Sequence, residues 1–298
     1  MFAGFESRTI ELPGRPGAHV YARIGGRGPA LLLLHGHPQT HVMWHRVAGA
    51  LAQRHTVIAM DLPGYGDSWR PAPDEQHLNH SKRHMAEAVD DAMQVLGHAR
   101  YAVCAHDRGA RVAHRLAVDR PQRVSRLMLL DIAPTLAMYE HTSDAFARAY
   151  WHWFFLIQPA PLPERLLGHD PVFYLRSVLG RRYAGLAAFD PLAMREYERC
   201  IALPGTIASI CEDYRASATI DLEHDRADMA AGRRVEQPLR VLWGARGVVG
   251  ANFDVLALWR ERAREVDGRA LDCGHYIAEE LPQALLEEMQ DFFPGVTE

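Results

Sequence analysis

Cysteine is sparse in this chain: 298 residues hold four, Cys104, Cys200, Cys211 and Cys273. They form neither a metal-type cluster nor a dense cross-linking framework, so reduced thiols are expected, with a Cys200–Cys211 pair the weaker alternative. A surplus of one charge is also missing. The 33 basic and 37 acidic side chains are mixed along the sequence and leave a formal net charge of -4, which excludes the basic footprint of a nucleic-acid binder. No apolar run approaches the roughly 18 residues of a membrane span. The first residues, 1–11, carry no basic stretch followed by an apolar one, so a cytoplasmic protein with a small soluble partner is expected. Internal repeats and low-complexity tracts are absent too.

What is present is core-forming material: 48% of the residues are hydrophobic, enough for one large α/β domain or a domain carrying an insertion. Ala30-Leu31-Leu32-Leu33-Leu34 is a continuous apolar run stopped by His35-Gly36-His37-Pro38, the pattern of a buried strand running into a loop. Residues 56–60 repeat it before Asp61-Leu62-Pro63-Gly64, as do 101–105, 124–130, 239–244 and a short stretch near 270. Helical spacing over 81–96 and after the third strand makes the order alternate, which implies a mostly parallel sheet covered on both faces. Between about 134 and 233 the strand rhythm stops. Aromatic-rich helical stretches at 145–156, 172–179, 192–201 and 207–217 read as a helical cap over the carboxyl ends of the strands, closing a cavity there.

The segment Val103-Cys104-Ala105-His106-Asp107-Arg108-Gly109 passes from strand to helix through a tight turn, the context of a nucleophile elbow, with an aspartate at its tip. That residue selects the chemistry. A serine attacking a saturated carbon would leave an ether that water could not reopen, whereas a carboxylate leaves an ester that water cleaves at the aspartate's own carbonyl. Together with His35-Gly36-His37-Pro38, the Asp61-to-Ser68 turn and the late Gly274-His275 pair, the elbow resembles the α/β-hydrolase superfamily, and within it the aspartate-nucleophile branch of epoxide hydrolases, haloalkane dehalogenases and fluoroacetate dehalogenases. The resemblance spans the chain. It implies an α/β-hydrolase fold, with a mostly parallel sheet flanked by helices. The core falls in two parts, 1–134 and 234–298, around an inserted helical cap at 135–233.

Arg108 and Arg111 point to the fluoroacetate dehalogenases. Residues three apart on a helix share a face, so both guanidinium groups can turn toward the space before Asp107 and hold a substrate carboxylate. Structural ion pairs are an equally open role for two such arginines, but the position beside the elbow favours the clamp. In that family a cap His-Trp pair and a later tyrosine form the halide pocket, which here corresponds to His152, Trp153 and Tyr214; Tyr150 and Trp151 are expected to pack. A departing fluoride loses strong hydration, so a dry site must supply donors in its place. His275 resembles the family's base. The turn after 239–244 has no carboxylate, so Asp131, at the end of the preceding strand, is expected as its acid, as in those relatives, with Asp254 in reserve. The resemblance also assigns the backbone N-H groups of His37 and Arg108 to the oxyanion and implies a homodimer. The side chain of His37 departs from the aromatic residue, commonly phenylalanine, that relatives carry there.

The expected activity is thus hydrolytic dehalogenation of haloacetates through an aspartyl ester, with no metal or organic cofactor. His35, His41 and His45 lack an acidic or cysteine companion and do not read as a zinc site. An epoxide hydrolase is the nearest rival, sharing the nucleophile and drawing its acids from cap tyrosines such as Tyr150, Tyr174, Tyr183, Tyr197 and Tyr214. A noncatalytic ligand-binding protein on the same scaffold is the rival from another class.

Overall fold

Eight strands join into one sheet in the computed structural model, which describes residues 1–295. The end of the expected second core segment, 296–298, lies outside the described residues. In chain order the strands are β1 (Glu6–Glu11), β2 (His19–Gly25), β3 (Ala30–Leu34), β4 (Thr56–Met60), β5 (Tyr101–His106), β6 (Val124–Leu130), β7 (Leu239–Gly244) and β8 (Val266–Leu271). Their spatial order is β1-β2-β4-β3-β5-β6-β7-β8. β1 and β2 run antiparallel to their neighbours, while β3 to β8 are all parallel.

The continuous apolar runs became the central strands because both faces are covered: every residue of β3 is buried. Truncating one of these leucines to alanine should cost about 2–5 kcal/mol through the transfer and cavity terms together. The β1–β2 hairpin carries no such run, and in β1 only Ile10 is buried. The helix expected at 81–96 is Lys82–Val95, whose start is capped by the Ser81 hydroxyl accepting from the His84 backbone N-H at 3.2 Å.

Between β6 and β7 the chain forms helices only, from Thr135–Glu140 to Ile220–Ala230. The stretch expected as a single helix at 145–156 is two, Asp144–Ala149 and Trp151–Leu156, broken at Tyr150 with φ -107° and ψ 34°. No proline or glycine marks that break. Instead Tyr150 is buried, with the Arg182 guanidinium 4.5 Å above its ring centroid. Among the described residues no helix is long and apolar enough to cross a membrane. All four cysteines are free and buried.

Parallel strands end on one edge of the sheet, and the loops after β3, β5, β6 and β8 deliver His37, Asp107, Asp131 and His275 to it.

Candidate active site

Asp107 stands between β5 and the helix Asp107–Asp119 with a left-handed φ of 46°, the sharp turn of an elbow. Two glycines let the backbone close around it. A Cβ on Gly36 would lie 2.5 Å from the Asp107 Cβ, and one on Gly109 would lie 2.3 Å from the His35 carbonyl oxygen. The loop after β3 is thereby drawn against the nucleophile, and the His37 backbone N-H donates to Asp107 Oδ1 at 2.9 Å. The Arg108 backbone N-H, the other expected donor, makes no bond to this carboxylate among the described residues. Burial opposes the charge on Asp107, but His275, His106, Arg111 and Arg108 outweigh it and hold the carboxyl well below the usual carboxylate range. The group is ready as an anion.

His275 and Asp131 come together although 144 residues separate them: Nδ1 of the imidazole donates to Oδ2 of the carboxylate at 2.5 Å. The second oxygen of Asp131 accepts from the Gly244 backbone N-H at 2.9 Å, so the acid is fixed from both sides. With Nδ1 protonated by this arrangement, Nε2 of His275 carries the lone pair that a general base needs. Asp254, the reserve acid, instead caps the helix Val255–Arg260 by accepting from the Ala257 N-H at 3.1 Å. His106, which sequence reading passed over, lies 4.6 Å from the His275 ring and bonds the His275 carbonyl through Nε2 at 2.9 Å. Burial presses its pKa down to about 3, so this ring is neutral.

Both arginines are buried beside the nucleophile, but their donors are divided in a way the spacing could not reveal. Arg108 gives Nε and Nη2 to the Asp213 carboxylate at 2.9 and 2.6 Å, and Nη2 also to Ser217 Oγ at 2.5 Å. Its Nη1 is buried with no partner. Asp213 also pairs with Lys82 and accepts from the Tyr65 hydroxyl at 2.7 Å, which makes a fully buried charge network behind the site. Arg111 spends Nη1 on the Ala133 carbonyl at 3.2 Å and Thr135 Oγ1 at 2.8 Å, leaving Nε buried and unpaired. No bidentate fork is free on either residue; each keeps one unpaired nitrogen. Asp213 precedes Tyr214 in the sequence, so the only signal for it was an acid beside a residue already singled out.

His152 and Trp153 sit on the helix Trp151–Leu156 and Tyr214 on the helix Thr206–Ala218. Their rings meet: His152 to Tyr214 is 5.8 Å and Trp153 to Tyr214 6.3 Å between centroids. Trp153 Nε1 is buried without a partner. Burial first, and then Arg182, drives the His152 pKa far down, so its ring is neutral and keeps one N-H to donate. The His37 side chain forms the remaining wall, stacked 6.0 Å from His152, with Nε2 bonded to the Tyr174 hydroxyl at 2.9 Å. Burial lowers this imidazole to about 3, and its Nδ1 has no partner. Beside His152 and His275 opens a cavity of about 220 Å³.

The histidines set aside as a metal site are otherwise engaged. His41 Nδ1 bonds Asp61 at 2.9 Å, His35 Nε2 accepts from the Leu62 N-H at 3.0 Å, and His45 bonds the Val42 carbonyl at 2.9 Å. A group with metal-ligand spacing, Asp67, Glu196 and Cys200, lies elsewhere, and Arg199 pairs with both of its carboxylates at 2.6 Å.

Residues 29–282 match the model of the alpha/beta hydrolase fold family. Over 293 residues, 98% of this chain and 95% of the relative, the sequence is 41% identical to the fluoroacetate dehalogenase of Burkholderia sp. It is 34% identical over 286 residues, 93% of this chain and 94% of the relative, to the soluble epoxide hydrolase of Corynebacterium sp. (strain C12). A solved structure from Nostoc sp PCC 7120, described as an alpha/beta hydrolase, superposes with a TM-score of 0.94 at 51% identity, covering 98% of this chain and 99% of that one.

Proposed function

Since this chain belongs to the alpha/beta-hydrolase family, we propose that it hydrolyses haloacetates, fluoroacetate among them, to glycolate and halide through a covalent aspartyl ester. The observation that carries this reading is the pair of buried guanidinium groups beside a carboxylate nucleophile, each with one unpaired nitrogen. A neutral substrate has no use for them, whereas a haloacid needs its carboxylate held and its repulsion with Asp107 offset. The relative in Burkholderia sp supports the same choice.

In this mechanism Arg108 Nη1 and Arg111 Nε hold the substrate carboxylate. An Asp107 oxygen attacks the halogen-bearing carbon, the carbon-halogen bond breaks, and the halide leaves with its electron pair toward His152, Trp153 and Tyr214. Water then gives a proton to His275 Nε2 and adds to the Asp107 carbonyl carbon. The negative oxygen so formed takes the His37 N-H, with the Arg108 N-H as the expected second donor. Collapse expels glycolate, which takes the proton from the imidazolium; Asp107 keeps the oxygen that came from water and releases the second water proton to solvent, which restores the carboxylate. Asp131 orients His275 and balances its charge while it is protonated.

Intact-protein mass spectrometry tests this directly. His275→Asn incubated with chloroacetate should accumulate an adduct on Asp107 with the mass of the carboxymethyl ester. No adduct, in a variant that binds substrate but does not turn over, would count against the ester. Fluoride-electrode measurements with fluoroacetate define the leaving group.

An epoxide hydrolase is the second reading, favoured by one observation: the Tyr150 hydroxyl is buried without a partner, an acid available to an opening alkoxide. Styrene oxide assayed against chloroacetate and fluoroacetate separates the two.

A further inference from the structure

We propose that the cavity beside His152 and His275 is an anion-collecting vestibule, in which Arg181 and Arg182 take the carboxylate of a small haloacid before it passes inward to Arg108 and Arg111. The inference rests on the haloacid reading above and adds a second carboxylate-binding site to it.

Arg148, Arg181, Arg182 and Arg246 line this cavity, and none of its lining residues is acidic. Two of the four are already spent. Arg148 pairs with Asp144 at 2.8 Å and Arg246 with Asp272 at 2.8 Å. Neither Arg181 nor Arg182 has an ion-pair partner among the described residues, so two guanidinium charges on the cavity wall lack a paired carboxylate. Elsewhere the balance is negative, at -4 for the whole chain, and Asp107 itself repels an approaching anion. These two arginines reverse that sign along the cavity wall, and a cleft lined by one sign of charge concentrates the opposite ion.

Arg182 is the more specific of the two. Its guanidinium carbon lies 4.5 Å from the centroid of the Tyr150 ring, while its Nε is buried with no acceptor. A buried donor without an acceptor is unfavourable. A substrate carboxylate supplies the missing acceptor. His152 and His275 line the same cavity, so an anion held by Arg182 is already next to the proposed halide pocket and the base.

The test is kcat/KM for chloroacetate as ionic strength is raised, in the intact protein and in Arg182→Gln, Arg182→Lys and Arg181→Gln, each checked for an unchanged melting temperature. The natural chain should lose kcat/KM with added salt. Arg182→Gln should lower kcat/KM about tenfold at low salt, through KM with kcat nearly constant, and should flatten the salt dependence. Arg182→Lys keeps the charge and should recover most of the loss, and Arg181→Gln should show a smaller loss of the same kind. A glutamine variant with the natural KM and salt slope would overturn the vestibule, as would a lysine variant no better than glutamine. Those results leave haloacetate turnover itself intact. Failure to release halide from any haloacetate overturns the functional reading, and the vestibule with it.

Discussion

The strand ends and the inserted helices supply different halves of the candidate site by different physical means. At the strand ends the backbone does the positioning: Asp107 and Asp131 both take left-handed φ angles, 46° and 51°, and main-chain N-H groups of His37 and Gly244 fix their carboxylates. In the inserted helices regular backbone carries His152, Trp153, Asp213 and Tyr214, and packing of side chains does the positioning. The first kind of site is anchored by the rigid sheet and varies little with neighbouring side chains. The second depends on long-range partners, so it is where specificity can change while the reaction type stays the same.

The sharpest break of this comparison is at the strand ends. Asp107→Asn keeps the size of the side chain and removes the nucleophilic charge, and turnover of chloroacetate should fall on the order of 10⁴-fold or more with the fold intact. Halide release at the natural rate by this variant would dissociate the elbow from the chemistry. Next in size is the buried network that joins the two regions, because Asp213 on an inserted helix holds Arg108 on the elbow helix. Asp213→Asn leaves Arg108 buried without its carboxylate partner and Lys82 with Asp221 alone, 3.8 Å away, and should cost about 3–5 kcal/mol in urea unfolding. Adding Lys82→Met removes the charge that has lost its nearer partner and should recover part of that loss, while KM for chloroacetate, raised in Asp213→Asn because Arg108 is no longer held, stays raised. If the single variant is as stable as the natural chain, the network is not what holds Arg108.

Sequence alone was informative about the strand ends for the same reason that they are rigid. Continuous apolar runs announce buried parallel strands, and the residues that follow them can be placed at one edge without knowing any contact. Asp107 and Asp131 were legible in this way, and His275 through the Gly-His pair by which it resembles the family, since the strand before it is largely exposed; the polar β1 was not legible, since only Ile10 along it is buried. The inserted helices were legible as helices, but not in their breaks: residues 145–156 contain no helix-breaking residue, and the interruption falls at Tyr150, buried beside Arg182. Asp213, Lys82 and Arg182 escaped notice because their meaning lies in partners far along the chain. Asp213 and Lys82 are 131 residues apart, and no local pattern encodes that.

Trp153 probes the inserted half where it meets the elbow helix, with the Arg111 guanidinium 4.8 Å over its ring. Its unpaired Nε1-H is a candidate donor to the departing halide, and loss of one such donor is worth about 10²-fold in kcat. Trp153→Phe should therefore slow fluoroacetate by about that factor and chloroacetate by less, because fluoride gives up stronger hydration. A packing defect would slow both alike, so equal losses would remove Trp153 from the halide pocket.

The smallest effect concerns the joint between the two regions. Glu279, on the short helix Ile277–Glu280 just after His275, accepts from the hydroxyl of Tyr197 on the inserted helix Pro191–Ile201 at 2.6 Å, and Gln39 from the loop after β3 donates to it at 3.3 Å. Burial raises its pKa from the ordinary 4.5 to about 7, against the pull of the Tyr197 bond. A carboxyl raised in the folded state favours folding while protonated, so its contribution is full below about pH 4.5 and is lost as the pH climbs through about 7. Glu279→Gln keeps the shape and cannot ionise. Relative to the natural chain, its stability should therefore rise by roughly 2 kcal/mol between about pH 5 and pH 8 in urea unfolding. A difference between the two proteins that does not vary with pH would mean that this carboxyl is solvated as an anion, and that the inserted helices meet the sheet less tightly at Glu279 than its burial implies.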